Sequence, residues 1–183
     1  MMFDKKILKS FGEDVFISAN VEIKRPHLVT VGNHVAIDSG FYMTTAAEIG
    51  SYIHIAPYVS VIGGAKGLLK MGNFTNISVG SKIICGSDEF LGHGLITAPG
   101  IPNEFRDNLK VAPIIFEDFV ALGANVTVLP GVRLAEGSVI GACSMVNKDT
   151  EPWTIYVGTP AKPFKIRSKA KMIEYAKKLG FGF

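Results

Sequence analysis

The chain has 183 residues, 48% of them hydrophobic, and a formal net charge of +3; these values fit one domain with a continuous apolar interior and no strong attraction to nucleic acid. No run of 18 apolar residues occurs, so no membrane-spanning helix is expected. The N-terminal MMFDKKILKS has no apolar core followed by a small-residue cleavage site, so no signal peptide is expected either.

In chain order, residues 1–10 read as a short cap. Phe11, Ile17 and Ile23 then stand six apart. After a two-residue insertion around Arg25-Pro26, the spacing resumes with Val31, Ile37, Met43, Ile49, Ile55 and Val61. A second insertion around Gly63-Gly64-Ala65-Lys66 puts an outward bulge over residues 62–70 and resets the phase to Met71, Ile77 and Ile83. The period stops from Cys85 to Pro113, a stretch rich in Gly, Pro and charge. It returns without a break at Phe116, Leu122, Val128, Leu134, Ile140 and Val146. In most hexads a second apolar or small residue lies two places earlier, as with Val120, Val126, Val132 and Ser138. Finally, residues 168–179 carry Met172, Ile173, Tyr175, Ala176 and Leu179 at helical spacing, with Gly180 as the stop.

A period of six is neither the 3.6 of a helix nor the 2 of an amphipathic strand. It suits a coil whose short flat sides each send one large aliphatic inward, and fixed-period self-similarity marks a stacked solenoid. About eighteen hexads at three per triangular turn make about six turns. The prediction is an all-β solenoid over residues 11–158, with one long loop over 85–113 and a short C-terminal helix within 159–183. Irregular stretches of that length in a compact fold are uncommon and usually functional. The chain's two cysteines, Cys85 and Cys143, are far apart and form no metal motif. They read as reduced thiols of a cytoplasmic protein. Lys162, Lys165, Arg167, Lys169, Lys171, Lys177 and Lys178 face one acid, Glu174. This cluster is either a solvated helix face or a phosphate-attracting patch.

Leu122-Gly123, Leu129-Pro130-Gly131-Val132, Val139-Ile140-Gly141-Ala142, Val146-Asn147-Lys148-Asp149 and Gly158-Thr159-Pro160-Ala161-Lys162 together resemble the C-terminal signature of the hexapeptide-repeat acyltransferases. The resemblance implies a left-handed parallel β-helix. Ordinary parallel crossovers are right-handed, so physics alone would choose the opposite hand. It also implies acetyl-CoA as co-substrate, a sugar or nucleotide-sugar acceptor, and a homotrimer with active sites in clefts between subunits.

By the same resemblance, Gly123, Ala124, Gly141 and Ala142 line the pantetheine arm, where small side chains admit the ligand to the backbone. Asn147, Lys148, Lys162 and Lys165 face the adenosine and its phosphates, which lysine suits as a mobile point charge, and Arg167 adds to them. Sugar O-acetyltransferases of the family carry a histidine base just after the strand that leads into the long loop. Here that place holds Asp88 and Glu89, with His93 four residues on. A sugar hydroxyl needs a base to attack a thioester. An amine with an α-amino-like pKa of about 7.7–8.0 is already partly neutral at pH 7, and a carboxylate suffices to orient it. Asp88, Glu89 and His93 are therefore the catalytic candidates, and the acidic pair favours an amino sugar. His54, Glu104 and Arg106 are the acceptor-binding candidates. Phe90, Ile101 and Phe105 are candidates to anchor the loop on a neighbouring subunit. The closest pair of histidines, His27 and His34, is seven residues apart, which gives no metal-ligand pattern. The leading reading is an acetyl-CoA-dependent acetyltransferase that N-acetylates a nucleotide-linked amino sugar for surface polysaccharide synthesis. The alternatives are a sugar O-acetyltransferase with His93 or His54 as base, and a non-catalytic scaffold.

Overall fold

The computed structural model describes residues 3–183. The chain winds into a triangular solenoid whose three faces are parallel sheets. The first face stacks Ser10–Phe11, Val29–Val31, Ala46–Ile49, Leu68–Met71, Ile114–Phe116 and Arg133–Leu134. The second stacks Val15–Ile17, Val35–Ile37, Ile53–Ile55, Asn76–Ile77, Ala121–Leu122, Val139–Ile140 and Thr154–Val157, and Lys162–Ile166 adds antiparallel to the last. The third stacks Glu22–Ile23, Tyr42–Met43, Ser60–Ile62, Lys82–Ile84, Thr127–Val128 and Met145–Val146. Six coils are complete, and Thr154–Val157 begins a seventh that the sixfold count does not reach, because Tyr156 pairs with Ile140 across 16 residues rather than the 18 between Leu122 and Ile140, and the register slips by two.

The repeat works through two inward positions per side. Ile37, Ile55, Ile77, Leu122 and Ile140 are buried on the second face, and Val35, Ile53, Thr75, Val120 and Ser138 are buried two places before them. The larger residue fills the axis and the smaller one fits the corner, so successive coils interlock as a packed interior must. Parallel register carries each inward residue onto its equivalent, as in Ile37↔Ile55 and Ile77↔Leu122. Phe11 differs from expectation: it is 43% exposed, since no earlier coil covers it, and Leu8 and Phe3 close that end instead. The bulge is also shorter than expected. Only the segment around the 3-10 turn Gly64–Lys66 leaves the coil, and Leu68–Met71 already pairs with Ala46–Ile49 and buries Leu69.

The corner between the first and second faces holds a feature that the hexad pattern does not announce. His34, Tyr52, Phe74, Phe119 and Trp153 all have positive φ, between 53° and 63°. Each precedes an inward residue of the second face by three places. A left-handed backbone costs a residue with a side chain roughly 1–2 kcal/mol. Here the rings stack along the corner, with centroids 4.6, 5.1, 5.2 and 5.6 Å apart in order. Each such pair is worth about 0.5–1.5 kcal/mol, which offsets the strain. The column skips one coil, where Gly137 leaves room for the Trp153 ring. The C-terminal helix Ala170–Lys178 seats Ala176 on this column, and Phe181 and Phe183 follow it.

Candidate active site

The long loop leaves the solenoid after Cys85, which is itself buried among the coils. Its base is an antiparallel ladder of Gly86–Asp88 with Leu109–Val111, extended by Glu89 N–H donating to the Asn108 carbonyl. Two carboxylates order the rest. Asp88 accepts from Thr97 Oγ1 at 2.7 Å and from Thr97 N–H at 3.3 Å. Asp107 accepts from the Asn108 and Gly92 amides at 2.7 and 3.1 Å. The Asn108 amide above all holds the Asp107 carboxyl below its usual range, and the Gly92 amide and nearby His93 act in the same direction. Phe90, Leu91, Leu95, Ile96 and Phe105 stand exposed on the loop.

Where the hairpin folds back on the solenoid, Asp88, Glu89, Phe90, Leu129, Pro130 and Asn147 line a cavity of about 480 Å³. The register explains the meeting. Ile83, Val128 and Val146 stack on the third face, so Ile84, Leu129 and Asn147, one place later, follow one another along the edge between the third and first faces. A neighbouring cavity of about 470 Å³ is lined by Asn147, Lys148, Tyr156 and Lys162. Asn147 belongs to both, so the two cavities form one track; Asp149 and Glu151 also line the second, so both ends carry charges of either sign. Five sequence candidates are thus brought together: Asp88, Glu89, Asn147, Lys148 and Lys162. Lys110, also in the first cavity, was not among the candidates. Its position opposite Ser87 in the ladder places it there, and only the hairpin register could have signalled it.

The other candidates lie elsewhere. Gly123, Ala124, Gly141 and Ala142 follow the second-face strands, on the edge between the second and third faces. A Cβ on Gly123 would sit 2.6 Å from Ala142 N, and one on Gly141 would sit 2.9 Å from Val157 Cγ1. These glycines therefore serve the close stacking of coils, whereas Ala142 is exposed. His54 points outward from the middle of the second face and bonds Asp38 Oδ2 through Nε2 at 2.8 Å. One chain thus divides its candidate residues between the two edges of its third face.

The remaining candidates lie outside these two cavities. Arg106 donates its guanidinium inside the loop to the Ile101 and Ala98 carbonyls. His93 and Glu104 are exposed on the loop, outside the cavity that Asp88 lines. Lys165 extends from the Lys162–Ile166 strand, off the cavity that Lys162 lines. Arg167 does not join the phosphate cluster: it donates to the Phe119 and Gly137 carbonyls at 2.7 and 3.0 Å and lies over the Trp153 ring. Burial lowers its pKa. The Cys85 thiol is pushed up to about 11, chiefly by burial.

No family model matches the chain. Individual proteins do. The chain is 39% identical over 171 residues to the dTDP-4-amino-4,6-dideoxy-D-glucose acyltransferase of Escherichia coli, a match that covers 91% of this chain and 85% of that one. It superposes on AntD, an N-acyltransferase from Bacillus cereus solved with dTDP and 3-hydroxybutyryl-CoA, with a TM-score of 0.89 and 32% identity over 97% of this chain and 95% of that one. A serine variant of AntD solved with dTDP-4-amino-4,6-dideoxyglucose and coenzyme A gives the same TM-score at 31% identity, covering 98% of each chain. Other forms of that enzyme carry substitutions at an aspartate ten positions after this serine.

Proposed function

The chain belongs to the hexapeptide-repeat acyltransferases, and from that premise we propose that it transfers an acyl group from coenzyme A to the amine of a dTDP-linked 4-amino-4,6-dideoxyhexose. The observation that carries this reading is the near full-length match to an acyltransferase of that substrate. The acidic pair at the loop mouth agrees with it, because an amine acceptor makes a smaller demand on a base than a hydroxyl does. A catalytic function also accounts for the long ordered loop and the track of cavities, for which a bare scaffold has no use.

The transfer is direct. The neutral amine nitrogen attacks the thioester carbonyl carbon and a C–N bond forms. Backbone N–H groups on the coil wall steady the resulting oxyanion. The C–S bond then breaks, and the amine proton leaves for the departing thiolate or a nearby acceptor, giving an amide and free coenzyme A. Asp88 and Glu89 orient the amine and balance the ammonium charge as it forms. Asp88 is the one aspartate of the chain with a serine, Ser78, ten residues before it, the spacing of the pair altered in the solved enzyme.

Asn147, Lys148 and Lys162 take the adenosine and its phosphates, and Ala124 and Ala142 take the pantetheine arm. These groups sit on opposite edges of the third face, so we assign the active site to a cleft between subunits of a homotrimer. One copy supplies the hairpin and its neighbour supplies the Ser78–Ala124–Ala142 edge. Acetyl is the acyl group we assign within the acyl-CoA class, and the product's use is in surface polysaccharide. Among the described residues, no helix is long and apolar enough to cross a membrane. A thiol-release assay tests the reading: acetyl-CoA and 3-hydroxybutyryl-CoA are offered as competing donors to a panel of nucleotide amino sugars and simple glycosides. Release only with glycosides would refute it.

A further inference from the structure

The second face carries a groove of about 480 Å³, well apart from the hairpin, lined by His34, Tyr52, His54, Phe74, Thr75 and Asn76. We propose that this groove is the subsite for the pyrimidine nucleotide of the acceptor, with Asn76 and His54 as the residues that hold it. The inference rests on the reading above that the acceptor is a thymidine-nucleotide-linked sugar, and it assigns residues to the nucleotide end.

The groove has one apolar and one polar wall, the combination that binds a flat, partly polar ring. The edges of the Tyr52 and Phe74 rings, parts of the stacked corner column, form the apolar wall. Opposite them, His54 and Asn76 are register partners on adjacent coils, so their outward side chains follow one another along the face. Ala36 precedes His54 in that column and Ala121 follows Asn76, so no bulky group blocks either end.

Asn76 is preset. Its Nδ2 donates to the Leu122 carbonyl at 3.3 Å and lies 3.5 Å from Ser78 Oγ. Those bonds fix the amide plane and turn Oδ1 outward as an acceptor. A thymine or uracil ring offers an N3–H donor at its pairing edge, whereas cytosine offers an acceptor at the same atom. His54 is oriented in the same way: Asp38 engages Nε2, which leaves Nδ1 to accept from a deoxyribose hydroxyl. Asn76 also leads toward Ser78, on the edge where Gly123 and Ala124 lie. A nucleotide seated in the groove therefore directs its diphosphate and hexose toward the thioester.

Isothermal titration of the full-length protein with dTDP, dCDP and coenzyme A tests this. The wild type should bind dTDP at least tenfold more tightly than dCDP. Asn76→Ala and His54→Ala should each lose about tenfold or more in dTDP affinity while keeping coenzyme A affinity, which reports that each variant is folded. If the wild type binds dTDP and both variants match it within twofold, the groove assignment is wrong and the acceptor class stands. If the wild type binds coenzyme A but neither dTDP nor the dTDP-sugar, the groove assignment and the acceptor class fall together.

Discussion

Gly123→Ala separates two roles that a small residue can play on the edge between the second and third faces, close stacking of coils and the proposed contact with coenzyme A. The added Cβ would lie 2.6 Å from Ala142 N, 3.0 Å from Ala142 Cα and 3.1 Å from Gly141 C. All three are backbone atoms, so no side chain can swing away, and the two coils must part by up to about 0.8 Å to reach ordinary contact near 3.4 Å. Overpacking of this kind costs about 1–3 kcal/mol. The neighbouring ladder bond from Gly123 N–H to the Ile140 carbonyl, now 2.8 Å, lengthens and adds about 1 kcal/mol. The sum is about 2–4 kcal/mol, and for a chain of this size it lowers the thermal midpoint by about 5–15 °C. Ala142→Leu is the contrast, because Ala142 is exposed. It should leave the midpoint within about 2 °C, the scale of an ordinary surface substitution, and weaken coenzyme A binding. Differential scanning calorimetry and titration with coenzyme A read both quantities. A Gly123→Ala protein with an unshifted midpoint would show that the gap in front of Gly123 does not serve coil stacking.

Asp88→Asn should cost about 10²-fold in turnover with coenzyme A affinity retained, and more than His93→Ala costs. Thr97→Val should reproduce whatever part of that loss comes from anchoring the loop. If His93→Ala abolishes turnover, or His54→Ala does so at saturating acceptor, while Asp88→Asn and Glu89→Gln do not, a histidine is the base and the acceptor is a hydroxyl. Lys162→Ala should weaken coenzyme A more than dephospho-coenzyme A, and Lys165→Ala should do so less, because it lies off the cavity; equal losses for both ligands would remove the phosphate assignment. Native protein at pH 8 should show one reactive thiol, the exposed Cys143, and two in denaturant, because Cys85, pushed up to about 11, holds on the order of 10⁻³ thiolate there. The Asp107 carboxyl has a folded pKa below its unfolded value of about 3.9, so its stabilisation is present above that pH and is lost as pH falls through the folded value. Amide exchange over residues 91–108 should accelerate in that acid window before the coils respond, and Asp107→Asn should make it fast already at neutral pH. Unchanged exchange in that variant would contradict the role assigned to Asp107.

The sixfold register was legible because a solenoid interior presents the same environment at every coil, so Ile37, Ile55, Ile77 and Ile140 report it independently. It misleads only at the ends, where Phe11 has no coil above it and the last coil slips by two residues to bring Tyr156 onto Ile140. The aromatic corner was not read, although its residues stand at a fixed offset from the inward ones. Large aromatics suggest an interior rather than a strained left-handed corner, and their stacking is a long-range fact. Composition alone also could not tell which cation of the C-terminal cluster is consumed: Lys162 faces a cavity, whereas Arg167 closes a corner. The candidate site was legible as two separate motifs, Asp88-Glu89 and Asn147-Lys148. Their meeting depends on the hairpin leaving the fourth coil and landing beside the fifth and sixth. The left hand of the coil came from family resemblance alone.

The central claim is amide formation on a nucleotide sugar. The most direct measurement is to incubate the protein with dTDP-4-amino-4,6-dideoxyglucose and acetyl-CoA and to locate the acyl group in the product by mass spectrometry and NMR. The account predicts one acyl group on the C4 nitrogen, stable to hydroxylamine, with one coenzyme A thiol released per product. Acylation at a ring hydroxyl, or no transfer to the amino sugar while a non-amino glycoside is acylated, would contradict it.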